Sequence, residues 1–155
     1  MMAKTNPSTI LLKGDPRIDE APLEALAACA DGFITPGMLI ERYGTDVRPH
    51  ASDGGIAVPI LVALEGLAKD ADSFTMGDID TDYDEDAQAV RFAAAKSGDQ
   101  YYMLLAPLTT ATINCILDSN GDGYLGVGTT FAVGRALEAK TNATGEPVRI
   151  RVVVL

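Results

Sequence analysis

Short apolar runs alternate with turn-forming residues along most of the chain. Between the runs lie clusters of glycine, proline, asparagine, aspartate and serine, which favour turns because of their backbone preferences. Many short apolar runs at this spacing are typical of the strands of a barrel or sandwich. The sequence therefore predicts an all-β fold with a small β-barrel. The predicted strands cover residues 58–64, 89–94, 101–106, 112–117, 131–137 and 148–155.

Two local patterns predict finer detail. Residues 148–152 alternate strictly, so Arg149 and Arg151 share one face of a half-buried strand and the apolar residues share the other. The pair Pro36 and Gly37 predicts a type II turn, since proline presets φ and glycine accepts a positive φ. A strand is expected to leave this turn.

The N-terminal residues predict an extended arm over residues 1–19, followed by one domain over 20–155. The arm is polar and broken by prolines and glycine, apart from one apolar patch. It is either a frayed terminus or a strand that pairs with a partner, and the residues that could pair are Thr9, Ile10, Leu11 and Leu12.

One short helix is predicted after the arm. Asp19 and Glu20 supply an acidic start, Pro22 an early proline, residues 23–30 a run of helix formers, and Gly32 a stop.

Composition and charge narrow the functional classes. Of 155 residues, 47% are hydrophobic, which is enough to build a core. The net charge of −10 repels nucleic-acid phosphates and anionic membranes, so neither is an expected partner. No apolar run reaches the roughly 18 residues of a membrane helix, and synthesis in a cytoplasm is expected.

The residues that commonly support catalysis are scarce. His50 is the only histidine, and it follows Arg48 and Pro49 in what we expect to be an exposed loop. Every mechanism that needs a Ser–His pair or a histidine metal site would depend on this residue, so enzymatic activity is not expected. Cys29 and Cys115 predict buried thiols or, as the alternative, one disulfide.

One segment matches the opening of a calcium loop. Asp118, Asn120 and Asp122 occupy positions one, three and five, and glycine follows at position six. Position twelve, where such a loop needs a bidentate glutamate, is Thr129. The alternative is a β-hairpin, because Asn-Gly and Asp-Gly are favoured hairpin turns. Apart from a possible Ca²⁺ at this segment, no cofactor is expected.

A second acidic segment, residues 78–86, carries six carboxylates in nine positions. Most such runs are solvated loops, and contact with a basic partner is the second interpretation.

Two motifs together resemble a known family. Residues 34–41 read Ile-Thr-Pro-Gly-Met-Leu-Ile-Glu, and residues 132–138 read Ala-Val-Gly-Arg-Ala-Leu-Glu after a glycine-containing hairpin at 123–128. This order resembles the head decoration, or capsid cement, proteins of bacteriophages, of the lambda-type β-tulip class.

The resemblance implies a structural, non-enzymatic protein of the virion. It implies a β-tulip domain on the outer surface of the expanded head, commonly as homotrimers, made in the cytoplasm of the host bacterium. The major capsid protein is the implied partner, and the arm residues Thr9 to Leu12 are expected to reach it. The alternative from a different class is a calcium-binding β-sandwich module for adhesion or carbohydrate recognition, with Asp118, Asn120 and Asp122 as ligands.

Overall fold

The computed structural model describes residues 7–23, 34–51, 59–66, 79–80, 82–83, 89–129 and 132–155 of the chain. These residues form thirteen strands and contain no helix. The strands are β1 (Leu11–Lys13), β2 (Arg17–Ala21), β3 (Leu39–Tyr43), β4 (Asp46–Pro49), β5 (Leu61–Ala63), β6 (Val90–Ala94), β7 (Gln100–Leu105), β8 (Thr110–Ala111), β9 (Ile116–Ser119), β10 (Leu125–Val127), β11 (Gly134–Ala136), β12 (Lys140–Thr141) and β13 (Val148–Val154). The prediction of an all-β fold is confirmed for this part of the chain.

Five strands close into a small barrel, and one further strand extends it. The order around the barrel is β7, β10, β9, β11 and β13, and β13 pairs back with β7. This closing pair is antiparallel and runs from Val148 opposite Leu105 to Val153 opposite Gln100. The extra strand, β1, pairs with the other side of β7. The predicted small barrel is therefore present.

The second large sheet is antiparallel, with the order β2, β6, β5, β3 and β4. A parallel bridge between Leu23 and Val47 joins its two outer strands, and the Val47 N–H donates to the Pro22 carbonyl at 2.9 Å. Joining the outer strands leaves less unpaired backbone at the edges of the sheet. β8 and β12 form a separate two-stranded antiparallel pair.

Strands β3, β5 and β6 lie between two hydrophobic cores. Leu39, Val62 and Ala93 belong to the core that includes the barrel interior. Their sequence neighbours Ile40 and Phe92 belong to the second core. Because successive side chains of a strand point to opposite faces, strands buried on both faces have continuous apolar sequences.

The last strand, β13, has the predicted half-buried pattern. Ile150, Val152 and Val154 are buried in the barrel core. Arg149 and Arg151 lie on the opposite face and are only partly buried. The strict alternation of this segment therefore identified both the strand and its inward face.

The predicted helix is wrong at its start. Asp19 and Glu20, expected to open it, lie in β2 and pair with Phe92 and Arg91 of β6. Strand pairing prevails because β6 offers a row of backbone partners, whereas a short isolated helix is marginal in water. The expected domain boundary at residue 19 falls inside β2. The rest of the predicted helix, residues 24–30, lies outside the described residues.

Buried tyrosines predict a loss of stability in alkali. Burial raises the pKa of Tyr83 to about 12, because the phenolate would lose its hydration, and burial also raises the pKa of Tyr101 and Tyr102. Above the ordinary value of 10.0 the unfolded chain releases these protons while the folded chain keeps them. We expect the free energy of unfolding to be insensitive to these tyrosines below pH 10 and to fall as pH rises toward 12. The slope is about 1.4 kcal/mol per pH unit for each such tyrosine.

Denaturant titrations across this pH range measure the slope. Tyr83→Phe should reduce it, because this variant has no phenol to titrate at that buried position. Equal slopes for the wild type and Tyr83→Phe would contradict this account.

Candidate functional site

Three separate segments of the chain meet along one side of β7. The amides of Tyr102, Leu104 and Ala106 point away from β13 and need other acceptors. They donate to the carbonyl of Ile10 at 2.7 Å, to that of Gly37 at 3.1 Å and to that of Leu125 at 2.9 Å. This side of β7, called the β7 edge below, therefore joins the N-terminal arm, the Pro-Gly turn and the hairpin of β9 and β10.

The Pro36–Gly37 turn forms as predicted. The Met38 N–H donates back to the Thr35 carbonyl at 3.0 Å, and Gly37 has a φ of +97°. A Cβ atom on Gly37 would lie 2.9 Å from the carbonyl oxygen of Tyr102. Glycine is therefore required here both for the turn and for the close approach of its backbone to β7.

The predicted arm is attached to its own domain. Ile10 has 0% exposure and packs in the barrel core, and its N–H donates to the buried carboxylate of Glu65 at 3.1 Å. Leu11 and Leu12 are partly buried in β1, and Thr9 is exposed. The sequence identified a segment able to pair as a strand, and in this structure that strand pairs with β7 of the same chain.

Two further contacts hold the chain just after β1. A Cβ atom on Gly14, whose φ is +128°, would lie 2.2 Å from Oδ1 of the buried Asp99, so only glycine leaves room for this carboxylate. The Lys96 Nζ donates to the Asp15 carbonyl at 3.0 Å. The turn between β1 and β2 is thus tied to the turn that precedes β7.

The segment considered for calcium is a hairpin. Ser119 of β9 lies opposite Leu125 of β10, and the connection between them is longer than a two-residue turn. The Asn120 Oδ1 accepts the Asp122 N–H at 3.1 Å, so this oxygen already caps the loop. Asp118 is buried, and its carboxylate occupies the space that a side chain at Gly128 would fill. Gly128 is therefore explained by this packing.

Within the ranges that the structure describes, no group of three or more histidine, cysteine, aspartate or glutamate side chains could hold a metal ion. In the same ranges no helix is long and apolar enough to cross a membrane. Cys115 is a partly buried free thiol, and Cys29 lies outside the described residues.

His50 is buried, contrary to the sequence prediction of an exposed loop residue. It has 2% exposure, its Nδ1 lies 2.7 Å from the Ser119 Oγ, and its Nε2 lies 4.0 Å from the Glu41 Oε2. It is enclosed because the chain after β4 meets the hairpin, where the Gly123 N–H donates to the His50 carbonyl at 3.1 Å. No local pattern signals this contact, which joins residues distant in sequence.

In space, His50 lies between Ser119 and Glu41, as the histidine of a hydrolytic triad lies between its serine and its acid. The surroundings of these residues, however, do not suit catalysis. Ser119 has 0% exposure, and its Oγ also accepts the Gly121 N–H at 3.2 Å. A nucleophile must reach its substrate, and this hydroxyl faces only protein. The Glu41 carboxylate already accepts hydrogen bonds from the Arg48 Nε at 2.9 Å and from the Ala51 N–H at 3.2 Å. The cluster therefore fastens the second sheet to the hairpin of the barrel.

Arg149 connects β13 to the acidic segment. Its guanidinium donates to Asp80 Oδ1 at 2.6 Å, to the Ile79 carbonyl, and to the Pro36 carbonyl at 3.2 Å. Most of residues 78–86 lie outside the described part of the chain. At Asp80, however, the segment is anchored by an ion pair that the sequence pattern did not indicate.

Neither the models of known protein families nor the curated proteins compared with this chain show a match.

The β7 edge makes Gly37 a sensitive position. We expect Gly37→Ala to lower the free energy of unfolding by at least about 2 kcal/mol, because it adds both a positive-φ strain and a backbone clash. Gly44→Ala is the matched control: φ is +65° there, but nothing lies within 4 Å of the added Cβ. Its expected cost is about 1 kcal/mol. Equal losses in denaturant unfolding would show that the contact with Tyr102 has no energetic weight.

The buried arm predicts that Ile10 contributes to folding. We expect Ile10→Ala to cost about 2–5 kcal/mol, as for other large apolar side chains removed from a core. Thr9→Ala, one residue away and exposed, should stay within about 0.5 kcal/mol. Thermal and denaturant unfolding of both variants measure this, and wild-type stability for Ile10→Ala would mean that the arm does not dock on the barrel.

Proposed function

We propose that this protein is a non-enzymatic capsid decoration protein of a bacteriophage, with a β-tulip domain that binds the outside of the expanded head and stabilises it. Its partner is the major capsid protein, and its copies assemble as trimers on the virion surface. The proposal starts from the resemblance of residues 34–41 and 123–138 to that family. The observation that best supports it is the way these two segments meet.

The two segments are bonded to each other. The Leu39 N–H donates to the Gly123 carbonyl at 2.8 Å, and the Gly123 N–H donates to the His50 carbonyl. Gly123 has a φ of +82°, and a Cβ there would lie 3.0 Å from the Pro49 Cβ. Motifs that are about 80 residues apart in sequence thus form one junction, which supports treating them as parts of one structural unit.

The charge of the chain suits a protein on the exterior of a DNA-filled shell. With a net charge of −10 the protein is soluble and has no attraction to the packaged DNA.

A decoration protein needs only binding energy to stabilise the head, because a protein that contacts two capsid subunits opposes their separation. Several linked contacts add up, so modest affinity at each contact gives strong retention. Selectivity for the expanded head follows if only that state presents the binding surface.

We propose that the arm binds the capsid from its outward side. β1 is the terminal strand of its sheet, with β7 as its neighbour. Thr9 is exposed and Leu11 and Leu12 are partly exposed, while Ile10 anchors the segment in the core. A capsid strand could add to this outer side without displacing Ile10.

Cosedimentation with capsids tests the proposal. The purified protein is mixed with expanded and with unexpanded shells assembled from the capsid protein encoded beside it, in Ca²⁺ and in EDTA. We expect saturable binding to the expanded shells, unchanged by EDTA, and an increase in the melting temperature of those shells. Absence of binding to expanded shells would contradict the proposal. A protein whose own melting temperature falls substantially in EDTA would instead favour the calcium-binding recognition module.

Two variants locate the binding surface. Leu12→Asp replaces a partly exposed apolar side chain of β1 with a charge and should weaken shell binding at least about tenfold. Tyr43→Ser, at an exposed site in β3, is the control and should bind like the wild type. Circular dichroism confirms that each variant is folded, and equal binding of both variants would exclude β1 as the contact.

A further inference from the structure

One row of side chains crosses four strands on the outer surface of the barrel. Ile116 of β9 lies opposite Arg135 of β11. Arg135 in turn lies opposite Val153 of β13, and Val153 lies opposite Gln100 of β7. The neighbours of these residues along each strand belong to the barrel core, so the row itself points outward.

The row is open to solvent at its centre. Arg135 is exposed, and Ile116 and Val153 on either side of it are partly exposed. Leu137 and Arg151 lie next to the row, where the Leu137 N–H donates to the Arg151 carbonyl at 2.8 Å. Leu137 is 37% exposed, and Arg151 is partly exposed on the outward side of β13. These side chains, called the arginine face below, are those of Gln100, Ile116, Arg135, Leu137, Arg151 and Val153.

The arginine face has the opposite sign of charge to the chain as a whole. It contains two arginines and no acidic residue, whereas the chain has 22 acidic and 12 basic residues. The Glu138 carboxylate lies beside the face and accepts the Arg151 N–H at 3.1 Å. Residues 132–155 carry four basic and two acidic side chains. The excess of negative charge therefore lies in the rest of the chain.

Arg135 has its charge available to another molecule. Its guanidinium donates to the Asn114 carbonyl at 3.3 Å, and it forms no ion pair with any residue that the structure describes. By contrast, the exposed Arg17 and Arg42 both lie within ion-pair distance of Asp19. An exposed arginine without a carboxylate, on a chain that has carboxylates in excess, favours a carboxylate from outside.

The composition of the arginine face suits a protein partner better than a nucleic acid. Arginine beside branched apolar side chains is typical of protein interfaces, where lysine is depleted. A guanidinium also matches a carboxylate with two parallel hydrogen bonds. A nucleic acid instead requires an extended positive field, which a chain of net charge −10 does not provide. Charges more than about 8 Å apart are largely screened at physiological salt, so a carboxylate in contact with the face responds mainly to its arginines.

We propose that the arginine face binds a protein surface whose exposed side chains are mainly aspartate and glutamate. Arg135 and Arg151 bind the carboxylates, and Ile116, Leu137 and Val153 supply apolar contact between them. This inference deepens the proposed function and rests on it for the identity of the partner, which on a phage head is the major capsid protein. Because β1 and β13 pair with opposite sides of β7, the arginine face lies close to the strand already proposed to contact the capsid.

Binding of an acidic peptide to the free protein tests the inference. The probe is an end-capped peptide of alternating aspartate and alanine, and the same peptide with asparagine in place of aspartate is the neutral control. In nuclear magnetic resonance titrations of the isotope-labelled protein, we expect the acidic peptide to shift the amides of Arg135, Arg151 and Val153. The neutral peptide should leave them unchanged.

Two charge reversals separate a local contact from the overall charge. Arg135→Glu should weaken binding of the acidic peptide about five- to tenfold. Arg17→Glu is the matched control, because it changes the net charge by the same amount at an 80% exposed side chain in the other sheet. It should bind the peptide almost like the wild type. Arg135→Gln removes the charge without reversing it and should weaken binding about threefold. The amide spectrum shows whether each variant is folded.

Three results would overturn the inference. The first is the absence of shifts at the three amides at millimolar acidic peptide. The second is an equal loss of affinity for Arg135→Glu and Arg17→Glu, which would mean that only net charge matters. The third is equally tight binding of a single-stranded oligonucleotide to the same amides, which would mean that the face binds negative charge of any kind.

Shell binding separates this inference from the proposed function. If the acidic peptide binds as expected but the protein does not bind expanded shells, the arginine face keeps its chemistry and the capsid role is lost. If the protein binds expanded shells, Arg135→Glu should weaken that binding at least about tenfold relative to Arg17→Glu, because several linked contacts multiply the loss at each one. Equal shell binding by these two variants would exclude the arginine face as the capsid contact.

Discussion

The buried amides of β7 impose the main constraint on this fold. A backbone N–H that is removed from water must find an acceptor, and β7 has amides on both of its sides. On one side β13 supplies a continuous antiparallel partner. On the other side the acceptors are Ile10, Gly37 and Leu125, which come from three segments far apart in the chain. The arm, the Pro-Gly turn and the hairpin therefore depend on one another, because each completes part of the same edge.

This constraint explains why the sequence predicted some elements and missed others. Three elements carry their own signals: β7 is a continuous apolar run, β13 begins with a strict alternation of β-branched and charged residues, and the turn at Gly37 has a Pro-Gly pair. The pairing of β1 with β7 has no local signal, since Leu11 and Tyr101 are about 90 residues apart in sequence. Asp19 and Glu20 have the local pattern of a helix start. They nevertheless form part of β2, because the backbone of β6 offers them hydrogen-bond partners.

The candidate site was predicted unevenly for the same reason. The residues of the Pro-Gly turn were identified from local chemistry. The segment that begins at Asp118 forms a hairpin, which was one of its two interpretations, and Asp118 itself lies in β9. The burial of His50 against Ser119 depends on a contact between the second sheet and the barrel, which no window of sequence contains. The docking of Ile10 likewise depends on Glu65 and on the barrel core. Both contacts join parts of the molecule that are far apart in the sequence.

Hydrogen exchange of the free protein at the amides of Tyr102, Leu104 and Ala106 tests the central claim most directly. If the β7 edge holds the arm, the turn and the hairpin together, all three amides should exchange only through global unfolding, with the same free energy of opening. Much faster exchange at Tyr102 than at Leu104 and Ala106 would contradict this account, because it would show that the arm leaves β7 while the rest of the barrel stays folded.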